Sequence, residues 1–238
     1  MHRPSGIIFD LGDTVLRLES VDALEGNRRM LELADHNPGV TAEDAAALAE
    51  EIFSFFDTER NNYMLEVPAS SINRLIYETL GVTFGIDYDE LERVFWNEAL
   101  TYKPVEGIFE LLDTLDKHHI KAGILSNSIN SVTNLEELLA KFDLAHRFSF
   151  LISSAEYGVR KPHEFIFRVA VKKMELLPSD IWFVGDKIEY DIRGALDAGL
   201  YPVWYNWRNE PAAIDGEFLE IKSMRELTER IETLYITE

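Results

Sequence analysis

The sequence predicts an α/β fold, a doubly wound (Rossmann-like) parallel sheet core with an inserted α-helical cap. Three observations predict it. From about Thr101 to the C-terminus, short apolar runs alternate with helical patterns, which is how a parallel sheet wrapped by helices reads in sequence. One further apolar run, Gly6-Ile7-Ile8-Phe9, stands far upstream of the next at Ile120. The stretch between them is helical in character.

Taken in order, the first strand is expected at residues 6–9 and ends on Asp10. Residues 21–34, 45–56, 70–80 and 87–100 carry apolar residues at helical spacing. Thr41 with Asp44 makes a capping-box-like start to the second of these, with Asp in place of the usual Glu. Strands follow at 120–125, 148–152, 181–184 and 202–205, and helices at 106–118, 131–141, 162–174 and 189–198. Pro162 suits a first helical turn, and Gly199 a helix stop. Residues 218–221 read as a last short strand, with Ser223 capping a final helix. The pattern divides the chain into an α/β core (1–17 and 102–238) and a helical cap (18–101), with crossings near 16–20 and 100–104.

Hydrophobic residues make up 46% and charged residues 28%, so the chain can bury a core and is not of disordered composition. Its formal net charge is −20, which opposes nonspecific binding to nucleic acid or anionic membranes. An anionic substrate therefore needs local rescue by a metal ion and a few basic side chains. Cysteine is absent, which removes disulfides and thiolate chemistry. No apolar run reaches the ~18 residues of a membrane span. With no apolar leader before the first strand, a cytoplasmic protein is expected.

Asp10 falls where open α/β sheets keep their ligands, beside the carboxyl ends of the strands. Three other segments end a strand or begin a helix on that side: Ser126-Asn127, Lys161-Pro162, and Gly185-Asp186 with Asp191. Each has a plainer reading. Asp13 or Thr14 caps a helix, Ser126 or Asn127 caps a turn, and Lys161 is a solvated lysine. Four such coincidences in one order argue instead for a phosphoryl-transfer site.

On these residues, together with the flank Ile192-Arg193-Gly194-Ala195, the chain resembles the haloacid dehalogenase superfamily, in the branch with a helical cap after the first motif. The resemblance covers essentially the whole chain. It implies Mg²⁺-dependent hydrolysis of a small phosphate monoester through an aspartyl-phosphate. Asp10 would be nucleophile and metal ligand, Asp186 the second carboxylate, the main-chain oxygen of Gly12 a third ligand, and Asp191 an outer ligand or orienting acid. Ser126 and Asn127 would hold phosphoryl oxygens. Lys161 would neutralise charge and keep Asp10 ionised.

One position departs from the pattern. Phosphatases of that family usually carry an acid/base Asp two residues after the nucleophile, where this chain has Gly12. Such help is typically worth ~10²–10⁴-fold, so slow or substrate-assisted hydrolysis is expected. Asp13 is either a surrogate acid/base or a turn residue. The alternatives are a catalytically weak binding or regulatory protein and a dehalogenase, although family dehalogenases resemble Asp-x-Tyr here and Gly12 does not match. A branch that uses a cap lysine is opposed, because the first lysine is Lys103.

The expected partner is a small phosphorylated metabolite, with no nucleic acid and no membrane. In the cap, Arg28, Arg29, Arg60, Arg74 and Arg93 are candidates to meet a second charged group. Phe53, Phe55, Phe56 and Tyr63 are candidates for stacking, with part of that cluster expected in the core. Trp204, Tyr205, Trp207 and Arg208 are expected to pack or line the rim, and His118-His119 to cap a helix C-terminus.

Overall fold

In the computed structural model, which describes residues 2–212 and 214–236, β1 (Gly6–Phe9) is buried along its whole length. After a tight turn, β2 (Leu16–Val21) leads into α1 (Ala23–Leu31), β3 (Ala34–His36), α2 (Ala42–Tyr63), α3 (Ala69–Thr79), β4 (Thr83–Phe84) and α4 (Tyr88–Ala99), and β5 (Leu100–Pro104) leads back. Alternation then takes over: α5 (Ile108–Lys117), β6 (Lys121–Ser126), α6 (Val132–Ala140), β7 (Leu151–Ser153), α7 (Glu164–Met174), β8 (Ile181–Gly185), α8 (Arg193–Asp197), β9 (Tyr201–Tyr205), β10 (Leu219–Ile221) and α9 (Met224–Ile236). Six strands form a parallel sheet in the order β10-β9-β8-β1-β6-β7. The chain runs outward on one side of β1 and then returns to the other. Reversal of strand order beside β1 opens a crevice at the carboxyl ends.

Side chains that alternate along a strand bury on opposite faces. Ile7 and Phe9 face α5, α6 and α9 through Ile108, Leu111, Leu135, Leu138 and Leu227. Ile8 faces α7 and α8 through Ile166, Phe167, Ala170 and Ala195. Apolar runs without alternation are therefore what a sheet covered on both faces requires. The helical stretch has a core of its own, in which Met30, Ala45, Ile72, Ile76, Tyr77 and Leu91 pack together. Among the described residues, no helix is long and apolar enough to cross a membrane.

Several local expectations need correction. Residues 16–20 and 100–104 are not plain crossings, because β2 and β5 pair antiparallel as a two-stranded ribbon. The helix expected at 21–34 is α1 alone, capped by Asp22, whose side chain accepts from Glu25 N. The capping box of Thr41 and Asp44 forms, but α2 runs on to Tyr63. The strand expected at 148–152 is β7, displaced towards Ser153. Pro162 is outside its helix: α7 begins at Glu164 with His163 as N-cap, and the Lys161–Pro162 peptide is cis. Residues 188–192 form a π-helical turn before α8. One local expectation holds: His118 is the C-cap of α5 and His119 follows it with a left-handed backbone (φ 56°), while the His118 side chain meets Glu232 at 3.2 Å and stacks on Tyr235.

Two buried glutamates fasten the helical stretch to the sheet domain. Glu66 accepts from Ser154 Oγ at 2.7 Å and pairs with Arg60 at 2.7 Å, while the backbone beside it bonds Gly158 and Arg160. Glu92 on α4 accepts from Ser131 N at 2.9 Å and Asn134 Nδ2 at 2.6 Å. Burial pushes the Glu92 carboxyl above its usual range, against the pull of those hydrogen bonds. A carboxyl raised on folding makes the folded state bind more protons, so stability falls as pH rises above the ordinary glutamate range. Glu92→Gln, which keeps the acceptor oxygen, is expected to be more stable than the parent at pH 8 and to lose that advantage towards pH 4. Urea midpoints at the two pH values check it.

Candidate active site

The carboxyl ends of β1, β6 and β8 bring three of the singled-out segments together, and the loop before α7 supplies the fourth. Asp10 follows β1, and its backbone N–H donates to Val184 O at 2.8 Å. Ser126 ends β6, in register with Ser153 of β7. Asp186 follows β8. Lys161 is 1% exposed, and its Nζ donates to Asp10 Oδ1 at 2.6 Å and to Asp191 Oδ1 at 2.7 Å. Asp10, Ser126, Lys161, Asp186 and Asp191 line one cavity of about 470 Å³. The solvated-lysine reading of Lys161 is overturned by its burial.

Glycine at 185 is a packing requirement. A Cβ there would lie 2.4 Å from the Asp191 carboxyl carbon, so only glycine lets Asp191 turn back under β8 towards Lys161. Asn127 locks the lysine's backbone. Its Oδ1 accepts from Lys161 N at 2.7 Å, and its Nδ2 donates to Lys161 O at 3.0 Å. The Asn127 side chain is thus committed to the loop that delivers the ammonium.

Asp10, Asp186 and Asp191 are buried and can each offer an oxygen within 4.8 Å of the others. Burial pushes Asp10 up to about 7 although Lys161 pulls the other way, and Asp191 and Asp186 add to the rise. Asp186 is raised by burial and then by Asp191, against its bond from Arg208. Burial alone would push Lys161 down, but its two carboxylates outweigh it and hold the ammonium charged. Three carboxylates face two cations, the Lys161 ammonium and the Arg208 guanidinium on Asp186, and their oxygen donors suit a hard divalent cation.

The turn after Asp10 places its neighbours differently from expectation. Asp13 adopts a left-handed backbone (φ 58°), which Asp tolerates better than most residues. No helix follows for Asp13 or Thr14 to cap; the chain enters β2 instead. Asp13 Oδ2 accepts from Arg208 at 2.5 Å, and the same guanidinium donates to Asp186 Oδ2 at 2.6 Å. Arg208 is therefore a member of the site and not merely of its rim. Its guanidinium lies 4.1 Å from the Trp207 ring centroid, and that of Arg17 lies 3.9 Å from it. The signal available in sequence was its position: a charged residue in the loop after β9, on the side that carries the other motifs.

Arg60 of α2 and Arg160 also line the cavity, where Trp96 and Tyr102 stack at 5.5 Å. The arginines considered for a second charged group already have carboxylate partners: Arg28 with Glu25, Arg29 with Glu25 and Glu32, Arg60 with Asp57 and Glu66, Arg74 with Glu78, and Arg93 with Glu90. Phe53 and Phe56 pack against the helical core, whereas Phe55 and Tyr63 are exposed.

Known proteins resemble this chain in sequence and in fold. The chain is 31% identical over 143 residues to a glyceraldehyde 3-phosphate phosphatase of Pyrococcus furiosus, a match that spans 59% of this chain and 58% of that protein. It is 26% identical over 230 residues to the pyrimidine 5'-nucleotidase YjjG of Escherichia coli, spanning 93% and 95%. A 2-haloacid dehalogenase structure from Pseudomonas syringae superposes with a TM-score of 0.66 at 22% identity, covering 98% of this chain and 99% of that one, a likeness of fold. The family model of haloacid dehalogenase-like hydrolases matches residues 34–204, more than half of the sequence. With that match and this fold, the chain belongs to the haloacid dehalogenase-like hydrolase family.

Proposed function

We propose that this hydrolase is a Mg²⁺-dependent phosphatase of small phosphate monoesters that works through an aspartyl-phosphate, with residues 18–101 as a cap over the site. The observation that carries the reading is the buried Lys161 ammonium, bonded at once to Asp10 and Asp191 at the floor of a cavity that also holds Ser126 and Asp186. Phosphate esters are poor electrophiles shielded by negative charge, and catalysis of their transfer is chiefly positioning and charge stabilisation. Both named relatives act on phosphorylated compounds, which supports the same class here.

Asp10, Asp186, the main-chain oxygen of Gly12 and, further out, Asp191 would hold the ion. When bound, Mg²⁺ supplies charge neutralisation between the attacking carboxylate and the phosphoryl oxygens. Ser126 donates its hydroxyl to a phosphoryl oxygen, and Lys161 orients Asp10 and favours its ionised form against the effect of burial. Asp10 attacks phosphorus, the bond to the leaving oxygen breaks, and that oxygen takes its proton from water because position 12 offers none. Water then attacks the phosphorus, the bond to Asp10 breaks, and inorganic phosphate leaves. Asn127 acts by fixing the Lys161 backbone.

The test is release of inorganic phosphate from 4-nitrophenyl phosphate. Activity is expected with Mg²⁺, loss with EDTA, and recovery on readdition. The second reading, a feebly catalytic binding or regulatory protein, draws on Gly12. It predicts background turnover even with this good leaving group, together with retained binding of Mg²⁺.

A further inference from the structure

A second and larger cavity, of about 710 Å³, lies inside the helical stretch. Its walls come from all four helices and include Ala46, Ala49, Phe53, Ile72 and Phe95. It adjoins the site cavity, since Trp96, Ile129 and Asn130 line both. A pocket of this size is within the range that engulfs a small organic ligand, whereas about 150 Å³ suffices for benzene. Its charges are all negative. Glu50, Asp57 and Glu92 are on its lining, and no lysine or arginine is.

We propose that this cavity receives the leaving group of the substrate, and that the substrate is a phosphate monoester of a bulky, apolar, uncharged alcohol or phenol. The inference rests on the phosphatase reading of the neighbouring site. On the α2 side the lining carries the small side chains of Ala46 and Ala49. A leaving group with a second anion would meet Glu50 and Asp57, while the arginines of the helical stretch are held by carboxylates of their own. An apolar group exchanges water for Phe53, Ile72 and Phe95, at about 25 cal/mol for each Å² removed from solvent.

Phenyl phosphate and 4-biphenylyl phosphate release phenols of similar acidity, so their comparison isolates the second ring. The parent is expected to show at least about tenfold higher kcat/KM for the biphenylyl ester. Ala49→Phe is expected to lower kcat/KM for the biphenylyl ester at least about tenfold more than for phenyl phosphate, which removes that preference, and Ala46→Phe replaces it if the first variant fails to fold. Equal kcat/KM for the two esters in the parent overturns the assignment, as does an equal loss on both esters in the variant. Calorimetric binding of the non-hydrolysable 4-biphenylylmethyl phosphonate, weakened by Ala49→Phe, reads the same preference without turnover. Absence of hydrolysis with retained, Ala49-sensitive binding thus overturns the phosphatase reading alone.

Discussion

Asp10→Asn is expected to lower phosphate release by at least about 10⁴-fold, because an amide neither attacks phosphorus nor leaves from it. The geometry makes the substitution a clean one. Lys161 retains its 2.7 Å bond to Asp191, so the ammonium keeps a buried anionic partner. Burial already holds Asp10 at about 7, so its ionised form is a strain on the fold in metal-free buffer, and the variant is expected to melt no lower than the parent there. The sign follows from linkage: a carboxyl raised on folding contributes less stability as pH climbs from the ordinary aspartate range towards that value. Phosphate assays and thermal melts with and without Mg²⁺ check both halves. Full activity in the variant would sink Asp10 as nucleophile.

Gly12→Asp is expected to raise kcat/KM for esters of poor leaving groups, such as alkyl phosphates, by about 10²–10⁴-fold, with a much smaller gain for 4-nitrophenyl phosphate. A nitrophenolate departs without a proton, whereas an alkoxide needs one. The backbone accepts a side chain at this position, since a Cβ at position 12 meets nothing within 4 Å. Asp13 is in no position to have taken the task while Arg208 holds it at 2.5 Å, next to Arg17 at 3.7 Å. Equal gains on both ester types, or none on either, would show that proton supply is not the bottleneck.

Much of the fold was legible in the sequence because burial on both faces leaves a local mark. The runs that became β1, β8 and β9 are continuously apolar, the one that became β6 is so from Ala122 to Leu125, and each lies within a residue or two of its expected place. The ribbon of β2 and β5 left no such mark. Arg17, Glu19, Ser20, Thr101 and Lys103 interrupt the apolar residues of strands half open to solvent, and the pairing joins positions far apart in the chain. Pro162 misled for a related reason: proline at a helix start is a local preference, while the loop here is shaped by Asn127, whose bonds to Lys161 cross 34 positions.

By itself, the sequence determined the sheet, its helical insertion and the order in which Asp10, Ser126, Lys161, Asp186 and Asp191 reach one edge. These follow from periodicity and from the rule that strand ends on one side of an open sheet share a crevice. Tertiary structure alone decided which neighbours complete the site. It set Arg208 between Asp13 and Asp186, committed Asn127 to the lysine loop, paired off the arginines of the helices and opened a cavity between them. Such contacts depend on where side chains point once distant segments meet. Arg208 and Asp13 are 195 positions apart, a separation across which helical and strand periods carry no information.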